Sequence, residues 1–328
     1  MKIQPKVLIL HLLLVLFPLL TSCRYHLGAD REESDEPKFR EIADDLYDVF
    51  SFSGDKAWVI GYYGSIFVTE DAGTSWKNQP SGTTESLYAI CFADPLKGWV
   101  CGSHGTLLAT QDGGQTWARQ ESGTDKNLFS IQFLDPLHGM ASGYYGTLLR
   151  TQDGGRSWQD ISLEEDVSLN AMDLVDDSQG WVVGEFSTVL HTQDFGTTWT
   201  THKIPVEEAT LFGVDFSSTT EGYVTGIDGI ILKTNDGGSS WVRQESHSTD
   251  SIFSIQIAGD EVWAVGLKGT ALRSNRSSTD WQLIPDVKGV WSCLRAVHSS
   301  GPKGGWIVGS KGTILRTLDD DTWQKIVF

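Results

Sequence analysis

Between Leu87 and Ser122 the chain alternates short apolar runs with polar turn clusters. It reads Leu-Tyr-Ala-Ile-Cys-Phe, a turn at Asp94-Pro95, Gly-Trp-Val-Cys-Gly, a two-residue turn at Ser103-His104, Thr-Leu-Leu-Ala-Thr, the polar stretch Gln111-Asp112-Gly113-Gly114, then Thr-Trp-Ala-Arg-Gln. The runs are rich in β-branched and aromatic residues and are punctuated by Gly, Asp and Pro, which predicts four short strands. No stretch sustains a 3.6-residue apolar period, so a helical unit fits poorly. The unit recurs: Trp76, Trp117, Trp158, Trp199, Trp241, Trp281 and Trp323 stand 41, 41, 41, 42, 40 and 42 residues apart. Each copy also carries a glycine after an apolar triplet, at Gly61, Gly102, Gly143, Gly184, Gly226, Gly266 and Gly309. Seven four-stranded units at this period predict an all-β chain, a seven-bladed β-propeller of four-stranded antiparallel blades covering residues 46–328.

Twelve of the 13 tryptophans belong to this pattern: seven are the fourth-strand residues above, and Trp58, Trp99, Trp181, Trp263 and Trp306 share a second-strand position filled by Met140 and Tyr223 in the third and fifth copies. A large ring recurring at one place in each blade is expected to pack between blades. Trp291 stands outside the pattern and is assigned to the first strand of the seventh blade.

Ahead of the repeats, Lys2 and Lys6 precede an apolar run from Val7 to Leu20, too short to span a bilayer comfortably. It ends in Leu20-Thr21-Ser22-Cys23, which resembles a bacterial lipoprotein box. Residues 1–22 are therefore expected to be a lipoprotein signal peptide, with Cys23 lipidated, and residues 23–45 an acidic tether. The expected location is the extracytoplasmic side of a bacterial membrane, in the periplasm or a thylakoid lumen. Phe39-Arg40-Glu41-Ile42 resembles the start of the last strand and is a candidate for pairing at the ring closure. The remaining cysteines, Cys91, Cys101 and Cys293, allow at most one disulfide; buried thiols are the simpler expectation for Cys91 and Cys101. With 43 acidic and 25 basic residues the formal net charge is −18, which argues against a nucleic-acid partner.

The turn before the fourth strand has the pattern T-x-D-x-G-x-[ST]-W at Thr69–Trp76, Thr110–Trp117, Thr151–Trp158, Thr192–Trp199 and Thr234–Trp241. It is similar to the Asp-box, or bacterial neuraminidase repeat, in which a carboxylate accepts backbone N–H bonds and a glycine takes positive φ. The sixth copy (Ser274–Trp281) lacks the Asp and Gly, and the seventh carries Asp319-Asp320-Asp321, read as a degraded turn. A sialidase-like enzyme would need an arginine cluster, a carboxylate-activated tyrosine and an acid aspartate. No arginine stands apart from the repeats to suggest such a triad, the eight histidines lack metal-ligand spacing, and no nucleophile elbow or phosphate loop is present. No catalytic residue, metal or cofactor is assigned.

The longer pattern Phe92-x-Asp94-x-x-x-Gly98-Trp99-Val100-x-Gly102-x-x-Gly105-Thr106-Leu107-Leu108-x-Thr110-x-Asp112-Gly113-Gly114-x-Thr116-Trp117 resembles the repeat of the photosystem II assembly and stability factors. The resemblance spans all seven copies and implies a non-enzymatic, lipid-anchored scaffold with a membrane-associated protein complex as partner. Relatives also occur in bacteria without photosynthesis. A carbohydrate- or envelope-binding module is the alternative.

Strand alternation puts the turns between strands two and three on the same face as the connectors between blades, and the Asp-boxes opposite. On the connector face, Tyr62, Tyr63, Tyr144 and Tyr145 are candidate partner-binding residues. On the other, the residue before the Thr or Ser that opens each box is Val68, Ala109, Arg150, His191, Lys233, Arg273 and Arg316. This site resembles the Arg of the family's L-R-T sequence, matched in full by Arg150 and Arg316. Two roles stand open for the basic residues: ties to a neighbouring blade or box, or an arc that steers an acidic partner segment.

Overall fold

The computed structural model describes residues 44–287, 290–300, 304–317 and 322–326. Seven four-stranded antiparallel sheets form the blades, at 46–78, 87–120, 128–160, 169–201, 211–243, 252–283 and 294–325. In blade 2 the strands are Leu87–Phe92, Gly98–Gly102, Leu107–Thr110 and Ala118–Gln120. The second strand is buried along its whole length in six blades, and in the sixth at every residue but Glu261, because it is covered by a neighbour on both faces. Each sheet is built from one contiguous stretch of chain, including the seventh and first, which meet where the ring closes. Among the described residues that seam is crossed by the Gly312 N–H donating to Asp44 O (2.8 Å), the Lys311 N–H donating to Asp45 Oδ1 (3.0 Å), and His298 Nε2 on Ser51 O (2.9 Å).

Aromatic rings hold blade to blade. The second-strand tryptophan of one blade lies flat against the residue ending the next blade's first strand: Trp99 on Phe133 (centroids 3.5 Å, 5°) and Trp181 on Phe216 (3.8 Å, 13°). The next blade's fourth-strand tryptophan then meets that phenylalanine edge-on, Trp158 at 5.9 Å and Trp241 at 6.1 Å. Where the phenylalanine is missing, the two large rings touch directly, as in Trp281–Tyr223, Trp323–Trp263 and Trp76–Trp306. Trp76, Trp241, Trp281 and Trp323 are buried, while Trp117, Trp158 and Trp199 are half-buried.

One expectation is corrected. Trp291 is not in the first strand of blade 7, which is Leu294–Ser299; it lies in the connector ahead of it and is 84% exposed. Strand pairing in this blade begins only at Leu294, opposite Gly309. Cys91, Cys101 and Cys293 are free. Cys91 pairs across the strands with Trp99, and Cys101 with Ala89, so the two thiols are not opposite one another. Cys23, Phe39–Ile42 and Asp319–Asp321 lie outside the described residues. Among the described residues no helix is long and apolar enough to cross a membrane.

Candidate functional site

The Asp-box turns are closed by their own side chains. Asp71 Oδ1 accepts the Ser75 N–H (2.8 Å) and the Thr69 hydroxyl (2.9 Å), Oδ2 accepts the Ser75 hydroxyl (2.6 Å), and Thr69 Oγ1 accepts the Gly73 N–H (2.8 Å). Gly73 sits at φ +83°, and the arrangement repeats at Asp112, Asp153, Asp194 and Asp236. The hydroxyl and amide of Ser157 hold Asp153 down at about 2. These carboxylates are committed within the turn.

The basic residues before the boxes lie in the third strand opposite the large second-strand residue, Arg150 against Met140, His191 against Trp181, Lys233 against Tyr223, Arg273 against Trp263 and Arg316 against Trp306. Arg150 Nη1 donates to Phe195 O (2.8 Å) and Thr197 Oγ1 (3.0 Å) in the next blade's box. Lys233 Nζ reaches Arg276 O, at the degraded sixth box, and Glu221 (3.3 Å). Arg316 Nη1 donates to Ala72 O across the seam (3.0 Å). His191 stacks on Trp181 (4.2 Å, 9°), and burial, with His202 nearby, lowers its pKa so that it is neutral at pH 7. Arg150, Lys233 and Arg316 therefore reach the next blade, while His191 lies against Trp181 of its own.

Sequence reasoning missed the groups that serve the same purpose where the strand-three residue is small or neutral. Gln79 Oε1 accepts from Trp117 Nε1 (3.4 Å); Gln120 Oε1 accepts from Trp158 Nε1 (3.3 Å) and its Nε2 donates to Gly154 O (3.1 Å); His202 Nδ1 donates to Gly238 O (2.5 Å). The legible signal was a polar residue three places after the fourth-strand tryptophan.

The connector face is different. Its hairpins are tight turns with two successive left-handed residues, Tyr63 (φ +54°) and Gly64 (φ +69°) in blade 1, closed by the Ser65 N–H on Tyr62 O (3.2 Å). In blade 1 glycine is required at the second place, where a Cβ on Gly64 would lie 2.0 Å from Thr83 O, whereas blade 4 has Ser187 there at φ +59°. Turns of this type favour Asn, Asp or Gly at the first place. Here only Asp228 conforms; the others are Tyr63, His104, Tyr145, Phe186, Lys268 and Lys311, all at positive φ. A bulky side chain there costs about 1–2 kcal/mol. The seven turns thus hold up a crown of side chains, of which Tyr62, Tyr63, Tyr144, Tyr145 and Phe186 are exposed, with Trp291 on the same face.

The crown surrounds a central channel of about 440 Å³. A β-bulge at the second residue of each first strand turns Tyr47, Tyr88, Phe129, Asn170, Phe212, Phe253 and Arg295 into its mouth. Tyr47 and Tyr88 (5.4 Å), Tyr88 and Phe129 (5.9 Å), and Phe212 and Phe253 (5.2 Å) are in ring contact. Deeper, side chains reach the next blade's backbone: Asp173 Oδ2 accepts from Phe216 N (2.7 Å), Asp215 Oδ2 from Ile257 N (2.5 Å) and Gln132 Oε1 from Leu174 N (2.7 Å). Burial pushes Asp48 up to about 7, Asp173 to about 6, and Asp215 well above the usual range. No group of three or more His, Cys, Asp or Glu residues able to hold a metal ion occurs among the described residues.

Comparison with known proteins agrees with this geometry. A solved structure described as YCF48 bound to D1 peptide is 21% identical, with a TM-score of 0.72 over 85% of this chain and 93% of that one. YCF48 from Cyanidioschyzon merolae is 19% identical, TM-score 0.70, over 85% and 97%. Virginiamycin B lyase from Staphylococcus aureus, an enzyme, is 12% identical, TM-score 0.72, over 85% and 96%, so the shape alone does not select an activity. No curated protein sequence matches. The pattern defining the family described as Photosynthesis system II assembly factor YCF48 matches residues 76–124, 115–207 and 197–327, and the chain belongs to that family.

Proposed function

We propose that this chain is a non-enzymatic, lipid-anchored, extracytoplasmic scaffold that holds a segment of a membrane protein during assembly of its complex, and that it does so with the connector face. The observation that carries the reading is the crown: exposed Tyr62, Tyr63, Tyr144, Tyr145 and Phe186 cluster there, several of them held at a backbone cost that packing does not explain. Exposed aromatics on a rigid frame are the residues that dominate protein recognition. Family membership and the relative solved with a D1 peptide support a protein partner. The lipoprotein-like box at Cys23 supports the anchor. The basic residues from Arg150 to Arg316 are assigned to blade cohesion, because the heads of Arg150, Lys233 and Arg316 reach the next blade.

Affinity capture from membranes tests this reading. Changing Tyr62, Tyr63, Tyr144 and Tyr145 together to Ser is expected to abolish capture of an integral membrane protein with the melting temperature preserved; unchanged capture refutes the face assignment. Cys23→Ser is expected to release the folded protein to the soluble fraction. The rival, a carbohydrate- or envelope-binding module, rests on exposed Trp291, and glycan binding lost in Trp291→Ala would establish it instead.

A further inference from the structure

The channel mouth contains one cation among its aromatic rings. Arg295 occupies the bulge position of blade 7, with its guanidinium carbon 5.4 Å from the Phe253 ring centroid and 6.0 Å from that of Tyr47. Among the described residues it makes neither a hydrogen bond nor an ion pair, and its Nε is buried without a partner. That is unusual in a chain with 43 acidic residues. Arg316, Lys233 and Arg276 all have carboxylates within 4 Å. Asp45, two residues before Tyr47, gives Oδ1 to the Lys311 N–H (3.0 Å). Asp48, one residue deeper than the ring, gives its two oxygens to the Val49 and Ile90 N–H groups (2.8 and 2.9 Å). A guanidinium stacked on rings keeps its N–H fork available in the plane, the geometry that binds a carboxylate through two parallel bonds. The cavity is large enough for a small ligand or a chain end.

We propose that the channel mouth is a carboxylate site: Arg295 takes the anionic group, and Tyr47, Tyr88, Phe129 and Phe253 cover the apolar body attached to it. The carboxylate is supplied either by a small organic acid or by the C-terminus of a polypeptide. This inference is independent of the connector-face reading, since the crown can hold a partner by its side chains whether or not the mouth is filled.

Calorimetry on the full-length chain in detergent distinguishes the sources with four probes: phenylacetate, phenylacetamide, a tetrapeptide ending in Phe with a free C-terminus, and the same peptide amidated. An acid is expected to bind at least about tenfold more tightly than its amide, since hydrogen bonds to charged groups contribute about 1.5–3 kcal/mol. Preference in both pairs identifies a general carboxylate site, and preference confined to the peptide pair identifies a chain end. Arg295→Gln is expected to erase the preference, and Arg295→Lys, which keeps the charge, to retain part of it with an unchanged fold. Equal binding of acid and amide, saturable binding by neither acid at millimolar concentration, or a preference that persists in Arg295→Gln overturns the proposal.

Discussion

Asp48 provides a test of the channel's electrostatics. Its carboxylate is held in the channel wall with burial raising its pKa from 3.8 to about 7, against the opposing effect of the Ile90 and Val49 N–H groups. The folded chain therefore binds this proton more tightly than the unfolded chain does. Stability from this group is complete below the ordinary carboxylate pKa, falls as pH rises through the interval from about 4 to about 7, and is level above it. The displacement of roughly three units corresponds to a ceiling of about 4 kcal/mol at about 1.36 kcal/mol per unit, and water in the channel reduces it. Asp48→Asn has the shape of the protonated form at every pH. It should match the parent at about pH 3, below the ordinary carboxylate pKa, and be more stable at pH 8 by about 2–4 kcal/mol, the difference set by the parent's loss. Equilibrium unfolding in guanidinium at both pH values measures this, and Asp173 and Asp215 cancel because both proteins carry them. Parallel pH profiles, or a variant less stable than the parent at pH 8, would refute the reasoning.

Trp181→Ala removes a ring stacked between His191 and Phe216 and should cost about 3–5 kcal/mol in chemical denaturation. The Asp-box carboxylates are depressed, so the stability they confer is present above about pH 4 and lost as pH falls toward about 2, the value for Asp153; acid titration followed by near-ultraviolet circular dichroism should show loss of packing in that window, shifted upward in Asp153→Ala. Reversal of Arg150, Arg273 and Arg316 to Glu together should lower the melting temperature without a salt-dependent change in partner capture. A loss of capture that fades at high salt, with stability intact, would restore the steering role.

The repeat was legible because it is a packing requirement: a tryptophan between blades must recur wherever a blade meets a blade, and its spacing counts them. The Asp-box was legible because its Thr, Asp, Gly and Ser bond one another within a few residues. The mouth of the channel was not. Tyr47, Tyr88, Phe129, Asn170, Phe212, Phe253 and Arg295 are equivalent only through a bulge in each first strand, and a bulge leaves no residue signature of its own. Nothing in the sequence sets Arg295 apart; its place at the mouth follows only from seven first strands set around one axis. The crown was half legible: the tyrosine pairs stood out in sequence, but the left-handed backbone beneath them did not, because Tyr-Tyr-Gly lacks the Asn or Asp that normally announces such a turn.

Among the described residues the seam between blades 7 and 1 is a necklace closed without a clasp. No described strand of one blade completes the other's sheet, so the last interface is made of the same parts as the rest: a tryptophan pair, an arginine on a box carbonyl and a few backbone bonds. Within the described residues the ring therefore has no privileged starting point. Circular permutants opened at any of the other connectors, with residues 326 and 44 joined by a linker of connector length, should fold to the same propeller. In such permutants the covalent link moves to the old seam, and whichever interface is newly cut becomes the place where the ring first opens under denaturant.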